Sequence, residues 1–331
     1  MRVSVALATF NGAPFIARQL ETILAQTRPP DEIVITDDGS SDGTVDVLEA
    51  LAARAPSPIR VHRNAERLGY GDNFLRAAGL CSGDILFFCD QDDVWGPEKI
   101  ARMLACFDDP EVLLAWHNAA ITDQDEVRLG ALQDPRFETA LVGHDPPHPW
   151  QHPHGFTQAF RRELMRFDDL RAGCRDHKTD APLTHEQWYV FLARVLGRTA
   201  YVPEELTLYR QHGANVFGAG RRSGLFRRVR ARLSPPADSA ARIAAARMRA
   251  ETLQQIAARS AGAQAARARC IAAHYAALAE RWSRRELIGR GPIGQRLASM
   301  ERALRDDYGR NDPWRFPGSW IALDLVRIVA G

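Results

Sequence analysis

Residues 85–95 read ILFFCDQDDVW, an apolar run that ends abruptly in acidic side chains. The run Ile85–Cys89 has the length and composition of a buried β-strand. Asp90, Asp92 and Asp93 follow it, and carboxylates this close together repel one another unless a cation lies among them. Mg²⁺ and Mn²⁺ suit such a group, because they bind carboxylate oxygens together with phosphate oxygens. The stretch therefore predicts a strand that leads into a divalent-metal site, with an acidic cap of the next helix as the alternative.

Two upstream strand signals end in polar clusters of the same kind. Residues 3–8 lead into Thr9, Phe10 and Asn11, and residues 32–36 lead into the sequence DDGS at 37–40. Helical patterns separate the strands, at 14–26, 45–54 and 72–81, and a further short strand is predicted at 59–62. Alternating strands and helices favour a parallel sheet covered by helices, and ligands bind beyond the carboxyl ends of its strands. We therefore predict an α/β fold with a nucleotide site at the three polar clusters.

The second half of the chain predicts a different organisation. A helix is expected at 186–196 and strands at 201–202 and 206–209. Beyond residue 218, an Arg-rich linker leads into Ala- and Arg-rich segments that favour helices at 239–274, 293–306 and 320–329. We divide the chain into an α/β domain at 1–218, a basic linker at 219–238 and a helical region at 239–331.

Composition and charge exclude several classes of protein. The 331 residues carry a net charge of only +2, but residues 219–331 carry +13 and residues 1–218 carry −11. The five cysteines are scattered without a C-x-x-C pair, which argues against a disulfide framework and a zinc knuckle. No stretch approaches the roughly 18 uninterrupted apolar residues of a membrane-spanning helix, and the first residues resemble a strand more than a signal peptide. We therefore expect a cytoplasmic location.

Taken together in order, the motifs resemble family 2 of the inverting glycosyltransferases. They are T-F-N-G, D-D-G-S-S-D-G-T, the segment 69–73, F-C-D-Q-D-D-V-W-x-P-x-K, H-E-x-W and Y-R-Q-H-G-x-N. The form D-Q-D-D-V-W is similar to the branch commonly labelled rhamnosyltransferase-like. The resemblance extends to about residue 218. It implies a GT-A fold, with a mostly parallel sheet between helices, that transfers a sugar from a nucleoside-diphosphate donor to an acceptor hydroxyl.

The resemblance assigns roles by position. Thr9 and Phe10 would flank the nucleoside, and Asp38 would accept a hydrogen bond from its base or ribose. Asp90 would approach the ribose. The remaining donor-binding positions are Asn11, Asn73, Gly155 beside the donor sugar, and Arg210, which would hold the diphosphate or an acidic partner. The metal, Mg²⁺ or Mn²⁺, would be held by Asp92, Asp93 and His212.

The same resemblance places the catalytic base at Glu186, at the start of the predicted helix. Inverting transfer needs a carboxylate that takes the acceptor proton, and a helix N-terminus stabilises the anionic form of that carboxylate. The family more often has Asp at this point, so Glu is a departure by one methylene. Asp180 is a second candidate for the base. A carboxylate that caps the helix after Thr184 is the alternative interpretation of Glu186.

Other functions fit the sequence less well. A sugar nucleotidyltransferase would carry an N-terminal Gly-rich loop with basic residues, which residues 9–12 lack. A non-catalytic sugar- or lipid-binding module would not need the acidic cluster. The histidines at 144, 148, 152 and 154 have irregular spacing interrupted by prolines, so they favour an acceptor-side loop over a zinc site.

The donor is expected to be linked to dTDP or UDP, with rhamnose as one deoxysugar that the branch label implies.

The basic C-terminal region suggests partners beyond the donor. A glycan or lipid-linked acceptor of the cell surface would place the protein at the inner face of the plasma membrane, where its arginines would contact anionic lipid. Packing against the α/β domain or a homodimer interface is the alternative. Interleaved alanines and the absence of a nucleic-acid motif argue against a nucleic-acid partner.

Overall fold

The computed structural model describes residues 1–133, 148–212, 239–290, 292–309, 314–318 and 320–330. These residues form two compact units. The first contains 1–133, 152–168 and 184–212, and the second contains 148–151, 169–183 and the helices after residue 238. Two short segments of the predicted α/β domain therefore group with the C-terminal region. The predicted linker at 219–238 and the histidine at 144 lie outside the described residues.

Among the described residues, a nine-stranded sheet forms the centre of the first unit. The elements of its first half are β1 Val3–Thr9, α1 Ala13–Leu24, β2 Glu32–Asp37, α2 Thr44–Ala52, β3 Ile59–Arg63, α3 Tyr70–Leu80 and β4 Ile85–Cys89. The strands lie in the order β3-β2-β1-β4, and all pair in parallel. Every residue of β2 and β4 is buried, as the apolar runs predict. The predicted alternation is confirmed, and the carboxyl ends of these strands meet at one edge.

The second half of this sheet is mixed. Its elements are β5 Val94–Trp95, α4 Lys99–Ala105, β6 Val112–Thr122, β7 Arg128–Ala131, β8 Gln158–Arg161, α5 His185–Leu196 and β9 Arg198–Arg210. β8 runs antiparallel between β4 and β6, β6 pairs in parallel with β9, and β5 and β7 pair antiparallel with β9 and β6. The two strands predicted near 201–209 are one strand, because a register shift between Val202 and Glu205 accommodates Pro203.

Helices dominate the described part of the second unit. They are α6 Ser239–Ala258, α7 Gly262–Arg290, α8 Ile293–Asp306 and α9 Trp320–Ala330, accompanied by the short parallel strands β10 Tyr308–Gly309 and β11 Phe316–Pro317. The predicted helical appendage is confirmed. The helical character predicted for 239–274 is confirmed, but the segment belongs to two helices, because the chain breaks near Gly262, whose φ of +53° does not belong to a right-handed helix. In the part of the chain that is described, no helix combines the length and apolar character needed to cross a membrane.

Candidate active site

A pocket opens where β1, β2 and β4 end, at the edge where the sequence predicted three polar clusters. Predicted donor or metal positions that line it are Thr9, Phe10, Asp38, Asn73, Asp90, Asp92 and Gly155. Predicted positions outside its lining are Asn11, Asp93, Glu186, Arg210 and His212. Asn11 supports a turn instead, since its N–H donates to Ser40 Oγ at 2.8 Å and its Oδ1 accepts from the Ser41 N–H at 2.9 Å.

Gln91, the middle residue of the acidic motif, joins two of these strand ends. Its Oε1 accepts hydrogen bonds from the Thr9 hydroxyl at 2.6 Å and from the Phe10 N–H at 2.9 Å. Its Nε2 donates to the Phe10 carbonyl oxygen at 3.1 Å. Gln91 belongs to a sequence motif, but the sequence predicts no role for it. The structure shows that it fixes the end of β1 against the acidic loop that follows β4.

Asp38 and Asn73 shape the wall of the pocket. The Asp38 carboxylate accepts hydrogen bonds from the backbone N–H groups of Leu68 and Gly69, at 2.7 and 2.8 Å. The Asn73 side chain donates to carbonyl oxygens of β1 and β2, at 3.3 and 3.1 Å. Asp38 therefore holds the loop before α3 against the strand ends, and Asn73 holds the first turn of α3 there. Both side chains also face the pocket.

Carboxylates crowd the end of β4. Burial raises the pKa of Asp90 and of Asp93, and the neighbouring carboxylates raise both values further. Burial also raises the pKa of Asp92, against the opposite effect of His212. Asp93 is 1% exposed, and neither of its carboxylate oxygens makes a hydrogen bond of good geometry among the described residues. A cation would relieve this repulsion, so the chemistry of the group fits a divalent metal.

The geometry fits a metal that arrives with its substrate better than a metal held by the protein alone. In the described ranges, no three His, Cys, Asp or Glu side chains form a group able to hold a metal ion. Mg²⁺ commonly binds through one or two carboxylates together with substrate phosphates. One or two protein ligands and a diphosphate would therefore complete the site.

His212 and Arg210 approach the acidic loop from the end of β9. His212 Nε2 lies 2.9 Å from Oδ2 of Asp92, and the Phe15 ring stacks on the imidazole with 4.4 Å between the ring centres. Arg210 donates to Glu126 at 2.9 Å, and its guanidinium carbon lies 5.3 Å from the centre of the Phe15 ring. The structure thus places His212 beside a predicted metal ligand and pairs Arg210 with an acidic partner.

Glu186 lies against Gly155 and belongs to the first turn of α5, where it is 6% exposed. A Cβ atom at position 155 would lie 3.4 Å from the Glu186 Cβ and 2.5 Å from His185 Nε2, so only glycine fits here. Burial acts to raise the pKa of Glu186, but the adjacent His185 outweighs this effect and that pKa falls to about 2. The carboxylate is therefore ionised, as a proton acceptor must be.

Two alternatives to Glu186 as the base were open: that Glu186 only caps α5, and that Asp180 is the base. Neither has the same support. The cap of α5 uses Gln187, whose Oε1 accepts from the Thr184 N–H at 3.1 Å, so Glu186 is not needed for it. Asp180 belongs to the second unit, and its side chain is 84% exposed. A base must be shielded enough to meet the acceptor in place of water, which favours the buried carboxylate.

A comparison with known proteins identifies the first unit. The model of the family described as glycosyl transferase family 2 matches residues 4–167. Residues 4–167 belong to this family. The solved structure of residues 1–349 of S. aureus TarS in complex with UDP-GlcNAc superposes with a TM-score of 0.52 at 13% identity, covering 91% of this chain and 79% of that one. This likeness shows that the fold is of the predicted GT-A type.

Curated relatives match a similar region of the chain. The uncharacterized glycosyltransferase alr2836 of Nostoc sp. is 29% identical over 226 residues, which are 65% of this chain and 66% of that protein. The dTDP-rhamnosyl transferase RfbG of Shigella flexneri is 27% identical over 230 residues, which are 64% of this chain and 74% of that protein. The chain therefore spans just under two thirds of the length of the Nostoc relative.

The pocket also contains side chains for which the sequence predicted no role. They are Arg67, Tyr70, Phe74, Gln91, Phe156 and Tyr209, and His154, predicted for an acceptor-side loop, lines the pocket as well. The guanidinium carbon of Arg67 lies 4.0 Å from the centre of the Phe10 ring, which makes a cation–π contact at the predicted nucleoside position. Several of these residues lie within or beside the quoted motifs. Motif membership was thus the available signal, but it did not show which members face the pocket.

Lys99, the lysine of W-x-P-x-K, connects several parts of the site. It is fully buried, and its Nζ donates to the Phe156 carbonyl oxygen at 2.8 Å and to the Thr207 hydroxyl at 3.1 Å. Nζ also lies 3.8 Å from the centre of the Trp95 ring. Burial lowers the pKa of Lys99 to about 7, while Cys89 and the acidic loop act in the opposite direction. Lys99 therefore ties the acidic motif to β9 and to the loop that carries Gly155.

Proposed function

We propose that the protein is an inverting glycosyltransferase that moves a sugar from a nucleoside-diphosphate donor to an acceptor hydroxyl. One observation carries this proposal. The pocket at the ends of β1, β2 and β4 brings Thr9, Phe10 and the acidic loop together, and a buried, ionised Glu186 lies against Gly155 in its wall. A non-catalytic binding module would have no use for an ionised carboxylate in that position.

The proposed reaction is a direct displacement at the anomeric carbon. The acceptor oxygen forms a bond to this carbon while the bond from the carbon to the diphosphate oxygen breaks, and the electron pair leaves with the diphosphate. The acceptor proton passes to the Glu186 carboxylate. Asp92, with His212 beside it and Asp93 behind it, would hold Mg²⁺ or Mn²⁺, which would offset the charge of the leaving diphosphate.

The relatives guide the choice of donor and acceptor. We propose a dTDP- or UDP-linked donor, because RfbG is described as a dTDP-rhamnosyl transferase and the TarS structure contains UDP-GlcNAc. A deoxysugar such as rhamnose is the first donor to test. The acceptor would be a cell-surface glycan or glycolipid, used at the cytoplasmic face of the membrane.

The experiment is a transfer assay with matched variants. Glu186→Gln should reduce transfer by about 10²-fold or more, the scale for loss of a general base, with donor affinity unchanged. Asp92→Asn should weaken metal-dependent donor binding. Glu111→Gln, an exposed acid of the same unit, is the control that should change neither quantity. Donor binding without any transfer by the unaltered protein would favour the non-catalytic module, and full activity of Glu186→Gln would remove the assigned base.

We propose that the second unit contacts an anionic membrane surface through one face of α8. Ile293, Leu297 and Leu304 are 60%, 55% and 49% exposed, and their spacing places them on one side of the helix. Arg302 and Arg305 are exposed on the same helix, and residues 219–331 carry a net charge of +13. An exposed apolar stripe within a strongly basic region complements an anionic lipid surface.

Vesicle flotation tests this contact. The variant with Ser at 293, 297 and 304 should lose binding to vesicles rich in phosphatidylglycerol, which the unaltered chain should bind better than phosphatidylcholine vesicles. Val127→Ser combined with Leu129→Ser is the matched control, since these exposed apolar residues lie in the first unit. Equal flotation of the Ser variant would overturn the proposal. Loss of self-association instead of flotation would assign the face to a second copy of the chain.

A further inference from the structure

His185, the residue before Glu186, is enclosed in an aromatic box. It is fully buried, and its ring stacks on Phe74 with 4.1 Å between the ring centres and 22° between the planes. Tyr70 and Phe88 meet the same ring at steeper angles, at 5.2 and 4.6 Å. Three rings therefore fix the plane of the imidazole. Because Tyr70 and Phe74 line the pocket, the box lies directly beneath its wall.

The polar atoms of His185 point towards the site. Nδ1 lies 3.0 Å from Oε2 of Glu186, and Nε2 faces Gly155. Among the described residues, neither ring nitrogen and not Oε2 makes a hydrogen bond of good geometry. Buried polar groups in native proteins are usually satisfied, and those that are not are commonly found where chemistry takes place. Two nitrogens of this ring and one oxygen of the assigned base therefore lie together without a hydrogen bond of good geometry, and Nδ1 and Oε2 have each other as ion-pair partners at 3.0 Å.

We propose that His185 is a positioning residue for the base Glu186. Neighbouring residues on a helix do not normally face each other, so the box is what brings the imidazole to the carboxylate. Nδ1 engages Oε2 and leaves the second carboxylate oxygen for the acceptor hydroxyl. The imidazole also favours the anionic carboxylate, which keeps it ready to accept a proton. This inference rests on the proposed transfer reaction and adds the residue that orients its base.

Substitutions of His185 distinguish a residue that only fills the core from one that positions the base. His185→Phe keeps an aromatic ring in the box and removes both nitrogens. His185→Asn places an amide N–H near the position of Nδ1, whereas His185→Gln places its amide nearer Nε2 and is the matched control. If the histidine orients Glu186, the Phe and Gln variants should lose about 10- to 100-fold in kcat, and Asn should recover part of the loss. Donor Kd should remain unchanged in all three.

A double-mutant cycle gives the sharpest test. If His185 acts through the carboxylate, His185→Phe should have no further effect on transfer once Glu186→Gln is present. Melting temperature and donor binding report separately that each variant is folded. If Glu186→Gln abolishes transfer but His185→Phe lowers kcat equally in both backgrounds, or not at all, the inference fails and the proposed function stands. If Glu186→Gln leaves transfer intact, the base assignment of the proposed function fails.

Discussion

The helical unit and the acidic loop of the α/β unit treat their buried charges in opposite ways. In the helical unit, the buried Asp307 accepts from Arg284 Nε at 2.9 Å, and the buried Asp324 accepts from Arg285 at 2.8 Å and from the Tyr308 hydroxyl at 2.7 Å. In the acidic loop of the α/β unit, neither oxygen of the buried Asp93 makes a hydrogen bond of good geometry among the described residues.

The difference separates charges that support the fold from charges that await a ligand. A buried ion pair with good geometry is satisfied within the chain, so removing one partner harms stability. An unpaired buried carboxylate costs stability and persists where a cation or a proton transfer makes use of it. On this basis we propose that the acidic loop is the functional region and that the Asp–Arg pairs are structural.

The largest effect is expected for Asp307→Asn. The substitution leaves Arg284 and Arg281 without their buried counter-charge, and it should lower the free energy of unfolding of the helical unit by about 3–5 kcal/mol. Chemical denaturation followed by helical circular dichroism measures it. Asp306→Asn, at the exposed neighbouring position, is the control that should cost little. A loss below about 1 kcal/mol for Asp307→Asn would break the comparison.

A smaller effect is expected at the opposite edge of the sheet, where Glu32 is satisfied. Burial acts to raise its pKa, but hydrogen bonds from Ser4 and Ser82 and the charge of Arg60 outweigh burial and lower it to about 2. Glu32→Gln should therefore cost about 2–3 kcal/mol at pH 7.

The pH dependence of this effect has a definite sign. Because the folded-state pKa of Glu32 lies below the unfolded value, its contribution is complete above about pH 4.5 and is lost as the pH falls towards 2. The difference between Glu32→Gln and the parent protein should shrink over that range. Glu49→Gln, which breaks an exposed pair with Arg63, is the control and should cost less than about 1 kcal/mol. An equal loss for both variants would contradict the account.

The smallest stability effect is expected for Asp93→Asn. The carboxylate makes no hydrogen bond of good geometry among the described residues, and the substitution removes its repulsion with Asp90 and Asp92, so the free energy of unfolding should change by less than about 1 kcal/mol or rise. Metal-dependent donor affinity should nevertheless fall, because the acidic loop loses a charge. A large loss of stability with unchanged donor affinity would place Asp93 with the structural charges of the other unit.

The elements of the fold that could be predicted from the sequence are those that depend on local sequence patterns. The order of strands and helices over the first 90 residues follows from periodicity and breakers, and the polar clusters lie at the strand ends for the same reason. The division near Gly262 was missed because a single glycine in an Ala-rich helical pattern is a weak signal. The sequence predicted two strands where the structure has the single strand β9, since a sequence does not show that a bulge can accommodate Pro203.

The missed site residues depend on tertiary contacts. Gln91, Lys99 and His185 all belong to motifs, yet their partners lie 57 or more positions away or in an aromatic box assembled from several elements. Arg210 was given two possible partners, and only the fold shows Glu126 beside it. Sequence therefore indicates the chemistry of the site better than the contacts that orient it.

Thermal stability against dTDP, UDP and GDP, each with and without Mn²⁺ or Mg²⁺, tests the central claim most directly. A ligand that binds only the folded state raises Tm by mass action. The account predicts a rise for dTDP or UDP that needs both nucleotide and metal, and that is lost in Asp92→Asn. A Tm unchanged by every nucleotide, or raised equally in the presence of EDTA, would contradict a metal-assisted donor site at the end of β4.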